Sequence, residues 1–333
     1  MYSSRTYFIT GLTGYIGKLI TKELLRSPEY QEGQIDIIGL VRHPEKIGEV
    51  IGRVPDAHFT WIEGDCRDDF WKSTKLEERL GKPVDYIIHC AAPTSSSYMI
   101  SNPVETADSI VSGTRNVLEL ARRLRPKSMV FLSSMEVYGC VPDFGRPRSE
   151  SELGEISLDA ARSCYPLGKR MAEHYCHIYQ KEYGIPVKIA RLAQTFGRGV
   201  LPADHRVYMQ FAKAVIEQKD IVLQTSGLSM GNYCAAEDAV SAILLILKKG
   251  SNGEAYNVVN EAETRSIREM AELVANQVAQ GRIGVKIREE DILKTGYAPH
   301  TLLRISGEKL RRLGWRPTKG LVEMYRDMIE ELQ

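Results

Sequence analysis

Along the chain, short runs rich in β-branched and aromatic residues alternate with longer stretches whose apolar residues recur three and four apart. The short runs fall at 6–10, 35–41, 58–63, 84–90, 128–133 and 187–191, and their largely apolar character is what strands covered on both faces require. Between them, 16–25, 110–124 and 160–183 carry the helical period, as crossover helices lying on a sheet must. The alternation predicts an α/β fold: a doubly wound parallel Rossmann sheet with a smaller, partly interleaved C-terminal substrate lobe. After residue 194 the pattern loosens into Gly-, Pro- and Asp-containing stretches at 197–206 and 224–232, separated by amphipathic helices. The apolar run 239–247 and the strand-like 255–259 read as a helix and a strand returning to the sheet. The expected division is a dinucleotide-binding domain over 1–193, rejoined by 235–260, and a substrate-binding lobe over 194–333.

Composition narrows the partners. A chain of 333 residues exceeds the usual span of one compact core, which fits a cofactor domain with an added substrate part. With 44 Lys+Arg against 43 Asp+Glu, the net charge of +1 gives no reason to expect a nucleic-acid or anionic-membrane surface. Six cysteines, at 66, 90, 140, 164, 176 and 234, form no C-x-x-C pair, so reduced thiols and no metal are expected. His174 and His177 lie three apart without a third ligand in view, and the basic run Arg122, Arg123, Arg125, Lys127 ends a helix, where cations favour the dipole. The start Met1-Tyr2-Ser3-Ser4-Arg5 has no signal-peptide pattern, and 239–247 is well short of the about 18 residues a membrane helix needs. The expectation is a cytoplasmic protein with no membrane partner.

The first chemical signal is Gly11-Leu12-Thr13-Gly14-Tyr15-Ile16-Gly17, which follows a predicted strand and opens a predicted helix. Helix-start amides in that order face a pyrophosphate, and the missing Cβ atoms let it approach closely. The second strand ends in Val41-Arg42 where an NAD-selective fold of this kind places an acid. Arg42 is suited to charge-assisted bonds with a 2′-phosphate, which favours NADP over NAD. The fourth strand ends His89-Cys90-Ala91-Ala92, small enough at Ala91 for a dinucleotide to lie close, with His89 read as a packed, hydrogen-bonded residue.

The second signal is Tyr165-Pro166-Leu167-Gly168-Lys169. Four apart on a helix, phenol and ammonium share one face, and the cation eases loss of the phenolic proton. Upstream, Ser133-Ser134-Met135-Glu136 closes the fifth strand at the carboxyl edge where such sheets put their chemistry, so Ser134 completes a Ser/Tyr/Lys triad.

Together these motifs resemble the extended short-chain dehydrogenases/reductases of the nucleotide-sugar epimerase/dehydratase family, over nearly the whole chain. Arg162-Ser163-Cys164-Tyr165 with Gly168-Lys169-Arg170-Met171-Ala172-Glu173, Tyr98-Met99, Asn102-Pro103 and Asp204-His205-Arg206-Val207 resemble UDP-glucuronate decarboxylases in particular. Gly253-Glu254-Ala255-Tyr256-Asn257-Val258 and Leu313-Gly314-Trp315-Arg316-Pro317 resemble the wider family's late signatures.

The resemblance implies NAD(P), a nucleotide-sugar substrate, transient oxidation at sugar C4, chemistry on the 4-keto intermediate and then reduction. Its implied catalytic residues are Ser134, Tyr165 and Lys169, with Glu136 as auxiliary acid/base. Cofactor contacts fall on Gly11, Gly14, Tyr15, Ile16, Gly17, Arg42, Asp65, Cys66, Ala91, Tyr165 and Lys169, and substrate contacts on Gln194 and Arg206. A homodimer through helices that include 165–183 is implied by resemblance only.

Four positions depart from the family pattern: Val41-Arg42 for the acid, Ile110 for an Asn before Gly113-Thr114, Gln194 for a substrate-facing Asn, and Gly231 for an Arg that holds phosphate or serves acid chemistry in relatives. The leading expectation is a 4-epimerase or dehydratase. The alternatives are a sugar-nucleotide decarboxylase, a 4-keto-sugar reductase and, from another class, a non-catalytic NADP-binding sensor.

Overall fold

In the computed structural model, residues 4–52, 58–73, 76–140, 145–288 and 302–333 are described. The strands in chain order are β1 (Arg5–Thr10), β2 (Ile35–Val41), β3 (Phe59–Glu63), β4 (Tyr86–His89), β5 (Ser128–Ser134), β6 (Val187–Leu192), β7 (Gln194–Phe196), β8 (Ile221–Leu223), β9 (Met230–Ala235), β10 (Ala255–Val258), β11 (Asn260–Ser266) and β12 (Val285–Ile287). Seven of them form one sheet in the order β10-β6-β5-β4-β1-β2-β3. The pairing is parallel for β1 with β2 and β4, for β2 with β3 and for β4 with β5. The order runs outward in both directions from β1 and β4, the doubly wound arrangement expected from the alternating pattern, and it places a reversal of strand order beside the carboxyl end of β1.

The sheet is buried because its strands are apolar on both faces: all seven residues of β2 and the last five of β1 are buried. Helices Pro103–Leu124 and Cys164–Tyr183 cover one side. Val117, Leu118 and Ala121 from the first and Ala172 and Cys176 from the second pack with Ile87, Met129 and Phe131 of the strands. Both helices start elsewhere than their apolar period suggests, and proline is the reason. Pro103 at the first helical position lengthens one helix toward its N-terminus, because its ring presets the helical φ and its missing N–H would be unpaired there anyway. Pro166 sits in the first turn of the other, which begins at Cys164 after a short turn at Ala161–Ser163.

The described chain divides into two compact units. One comprises 1–139, 156–191 and 242–256 and carries almost all of the large sheet; the other comprises 140–155, 192–241 and 257–333. The second holds the three-stranded sheet β11-β9-β7, in which β9 pairs antiparallel with β11 and parallel with β7, and the two-stranded sheet β12-β8. Its core centres on stacked Phe196 and Tyr208 with Tyr233 and Tyr325 edge-on to Phe196. Among the described residues no helix is long and apolar enough to cross a membrane, and no cluster of metal-ligating side chains occurs.

Candidate functional site

The turn after β1 is built so tightly that only glycine fits. Gly11 has φ +68, and a Cβ there would lie 2.7 Å from the Ala91 amide nitrogen, so the turn lies against the end of the fourth strand. At Gly17 a Cβ would lie 2.2 Å from the Gly11 carbonyl oxygen. The Gly14 amide donates to that oxygen at 2.9 Å. Helix Tyr15–Arg26 then starts with Gly14 as its cap and no side-chain cap bond, which leaves its N-terminal dipole for a ligand. These features fit a dinucleotide pyrophosphate. A Gly17→Ala variant is expected to weaken NAD(P) binding about 10- to 100-fold, as forced overpacking implies. Gly48→Ala, where an added Cβ meets nothing within 4 Å, is the control expected to bind as the parent does; fluorescence titration of both checks the expectation.

At the far end of this loop system, Arg42 is 63% exposed and 3.8 Å from the Asp65 carboxylate. Asp65 also accepts the Arg67 amide at 2.9 Å and the Arg67 guanidinium at 3.0 Å. Burial alone would raise the Asp65 carboxyl, but the bonds from Arg67, with the charges of Arg67 and Arg42, bring it below the usual range. Next to it, burial pushes the Cys66 thiol up to about 12, so Cys66 is a neutral packing group. The segment is pinned from the helix Pro103–Leu124 by Asn116, whose amide donates to the carbonyls of Cys66, Arg67 and Asp68 at 2.9, 2.9 and 3.1 Å. Sequence reading passed over Asn116; its signal was an isolated amide between apolar residues on the buried stripe of an amphipathic helix.

His89 is buried at the end of β4. Its Nδ1 lies 2.7 Å from the Thr10 hydroxyl and its Nε2 3.1 Å from that of Thr114. Burial, and then the charge of Lys169, push it down to about 3, so it stays neutral and serves packing.

Lys169 is the most constrained ionisable group of the site. Its side chain is 3% exposed, its Nζ donates to the Leu132 carbonyl at 2.7 Å, and it lies 4.7 Å from the Phe131 ring centre and 5.8 Å from that of Tyr165. The bond to Leu132 ties the helix Cys164–Tyr183 to β5 two residues before Ser134. Burial lowers the ammonium to about 8, partly offset by Cys90 and Glu173. Tyr165 is itself buried at 7% exposure. Ile110, at the position where the family has Asn, packs against Gly168, so the floor under this part of the helix is apolar.

Ser134 ends β5 and caps the turn Met135–Tyr138, its hydroxyl accepting the Glu136 amide at 3.1 Å. That cap presents the Glu136 carboxylate to Arg162, whose Nη2 donates to Oε1 at 2.9 Å. The Arg162 guanidinium also lies 5.5 Å from the centre of the Tyr165 ring.

The expected substrate residues belong to the second unit. Gln194 opens β7 opposite Tyr233 of β9. Arg206 is tied to Asp204, with Nε to Oδ2 at 3.0 Å, and stands over Tyr208, so much of its charge is already matched. At Gly231 a Cβ would lie 2.9 Å from the Tyr233 hydroxyl, which therefore fills the space an arginine stem would need. The remaining candidates of the sequence have local partners. Arg123 donates to the Trp71 and Ser73 carbonyls, Arg122 pairs with Glu119 and Lys127 with Asp85, while His174 and His177 are exposed.

Comparison with known proteins places these features in context. Residues 7–260 match the NAD dependent epimerase/dehydratase family. Over 324 residues the chain is 31% identical to UDP-glucuronic acid decarboxylase 5 of Arabidopsis thaliana, covering 91% of this chain and 87% of the relative. It is 25% identical over 334 residues to the human dTDP-D-glucose 4,6-dehydratase, covering 97% and 91% of the two chains. In fold it is similar to UDP-glucose 4-epimerase of Thermotoga maritima solved with UDP-glucose, with a TM-score of 0.80, 20% identity and 98% of each chain covered.

Proposed function

The chain belongs to the NAD dependent epimerase/dehydratase family, and from that membership we propose that it is an NAD(P)-dependent nucleotide-sugar 4-epimerase or dehydratase working through a transient 4-keto sugar. The observation that carries the reading is the buried ammonium of Lys169, held to β5 beside the ring of Tyr165. A sensor that only binds a dinucleotide has no need of a proton relay, and a phenol beside a buried ammonium is suited to serve as one.

The glycine turn and the first turn of helix Tyr15–Arg26 hold the pyrophosphate, Asp65 and Arg42 the adenosine, and Lys169 the nicotinamide ribose. The bound nicotinamide supplies reversible oxidation of a secondary alcohol. Tyr165 takes the proton of the sugar C4 hydroxyl and returns it, Lys169 stabilises the phenolate formed, and Ser134 bonds the reacting oxygen. Glu136 moves a proton at the carbon made acidic by the neighbouring ketone. Residues 1–193 with 235–260 serve the cofactor and 194–333 the sugar nucleotide, in a cytoplasmic homodimer. A sugar-nucleotide decarboxylase is the second reading, favoured by the guanidinium that Arg162 sets against Glu136.

Incubation with UDP-, dTDP-, GDP- and CDP-sugars, followed by mass spectrometry, tests the function. Unchanged mass with altered stereochemistry marks an epimerase, loss of water a dehydratase and loss of carbon dioxide a decarboxylase. No turnover of any sugar would sink the proposal.

Two further expectations arise here. NADP is the favoured cofactor, because Arg42 is exposed at the end of β2 and suited to a 2′-phosphate. Arg42→Ala should cost NADP about 10- to 100-fold in affinity, the worth of a charge-assisted hydrogen bond, and NAD less than about twofold; equal losses would remove the argument. Because burial holds the Lys169 ammonium at about 8, turnover should fall as pH rises through that value and the proton is lost. A pH–rate profile still rising at about pH 9 would take Lys169 out of the proton relay.

A further inference from the structure

Arginines gather around the start of β9, where Gly231 offers no side chain. Arg265 pairs in register with Gly231 across the two strands, and its Nε donates to Glu263 at 3.1 Å. Arg268 donates through Nε to Glu272 at 2.9 Å. Arg304 differs from both: its Nε donates to the thioether sulfur of Met230 at 3.2 Å, a weak acceptor that matches none of its charge, and among the described residues no carboxylate pairs with it. The acid nearest in charge, Glu269, is already committed as a helix cap. It accepts the Ser266 amide at 2.7 Å, and its carboxyl is held below the usual range by its bonds to Ser266 first and only then by the charges of Arg265 and Arg304.

The backbone that carries Arg304 is held on both sides. Leu302 bridges to Met230, and Asn232, fully buried, donates to the Leu303 carbonyl at 2.7 Å and accepts the Ile305 amide at 3.0 Å. The Arg304 carbonyl accepts the Arg148 amide at 2.9 Å. The Arg304 side chain nevertheless stays partly exposed, next to Leu302, which is exposed as well. A fixed backbone and an unmatched guanidinium open to solvent make a preorganised anion site, since little freedom is left to lose when a ligand arrives. All of these residues belong to the second compact unit.

We propose that Arg304 grips the diphosphate of the nucleotide sugar, a task for which position 231 has no side chain. This rests on the nucleotide-sugar reading above and names the residue that holds the nucleotide whatever the sugar. A guanidinium presents a planar fork whose charge does not titrate, and two phosphate oxygens complement it in parallel charge-assisted hydrogen bonds. Arg206 and Arg265 are poorer candidates, because each is already bonded to a carboxylate.

The test is calorimetric titration of the NAD(P)-loaded protein with UDP, dTDP, GDP and CDP, and then with the nucleoside of whichever base binds. The parent is compared with Arg304→Met and Arg304→Lys, and with Arg312→Met, at an exposed arginine paired with Glu308, as the control for loss of a surface charge. Cofactor retention checks folding in each. Arg304→Met should weaken the nucleoside diphosphate about 10- to 100-fold and the nucleoside less than about twofold, the scale of charge-assisted hydrogen bonds to one group. Arg304→Lys should recover part of the loss, because it keeps the charge without the fork, and Arg312→Met should bind as the parent does. A diphosphate affinity within about twofold of the parent in Arg304→Met overturns the inference, even if UDP-glucuronate is weakened, since that pattern would give Arg304 to a sugar carboxylate. A loss for the nucleoside as large as that for the diphosphate also overturns it and leaves Arg304 a packing role. Should Arg304→Met lose its cofactor, Arg304→Gln takes its place with the same outcomes. If no nucleoside diphosphate binds the parent, the nucleotide-sugar reading fails and the inference with it, a result visible before any variant is made.

Discussion

Tyr165→Phe is expected to lose about a thousandfold in turnover while binding NAD(P) within about twofold of the parent, the scale of a positioned general acid/base. The substitution removes one oxygen and leaves the ring, which lies near both Lys169 and the Arg162 guanidinium. Packing is therefore retained and only the proton path is broken. Lys169 keeps its bond to the Leu132 carbonyl, so the ammonium stays where it is. Product formation by mass spectrometry and cofactor affinity by fluorescence separate the two effects. Turnover within about tenfold of the parent would dismiss Tyr165 as the acid/base.

Glu173→Ala should lower stability by about 3–5 kcal/mol, because it strands a buried cation. Arg191 and Glu173 are each only 5% exposed, and the guanidinium reaches the carboxylate through Nη2 at 2.7 Å and Nε at 2.9 Å. A third nitrogen, Nη1, donates to the Tyr138 hydroxyl at 3.3 Å. Tyr138 ends the turn that carries Glu136, so the pair also braces the turn that holds the proposed acid/base. For a chain of this size the loss corresponds to a fall in Tm of roughly 4–7 °C. Replacing both partners, as in Glu173→Leu with Arg191→Met, should cost less than Glu173→Ala alone, because no unpaired charge then remains buried. Thermal denaturation of the three proteins decides it; a Glu173→Ala protein melting within about 2 °C of the parent would show that solvent or a neighbour satisfies Arg191.

The elements were legible in the sequence to different depths. The core strands stood out because burial on both faces leaves few positions for polar residues, and the glycine turn because its close approaches admit no other side chain. Helix starts were less clear: an apolar stripe shows which face is buried and says little about where the first turn begins. Pro103 and Pro166 set those starts locally.

The candidate site divides along the same line. Ser134 and Glu136, and Tyr165 and Lys169, stand close together in the chain, and helix and strand-end geometry gives each pair a fixed relation. Asn116, the Thr10–His89–Thr114 chain and the Glu173–Arg191–Tyr138 brace join residues between 18 and 79 positions apart, so no local pattern marks them. Gly231 is of the same kind. The sequence shows the missing arginine, and only the fold shows that the Tyr233 hydroxyl takes its space.

By itself, then, the amino-acid sequence determined the doubly wound sheet and the tight glycine turn, and it carried the local spacings behind the proposed Ser/Tyr/Lys set. The tertiary structure alone decided which charges are spent. Arg206 is bound to Asp204, Arg42 is exposed beside Asp65, Lys169 is buried with its ammonium lowered, and Arg162 keeps a buried nitrogen unpaired. The physical reason is that a charge's availability depends on the partners and the solvent around it, and those come from segments that only folding brings together.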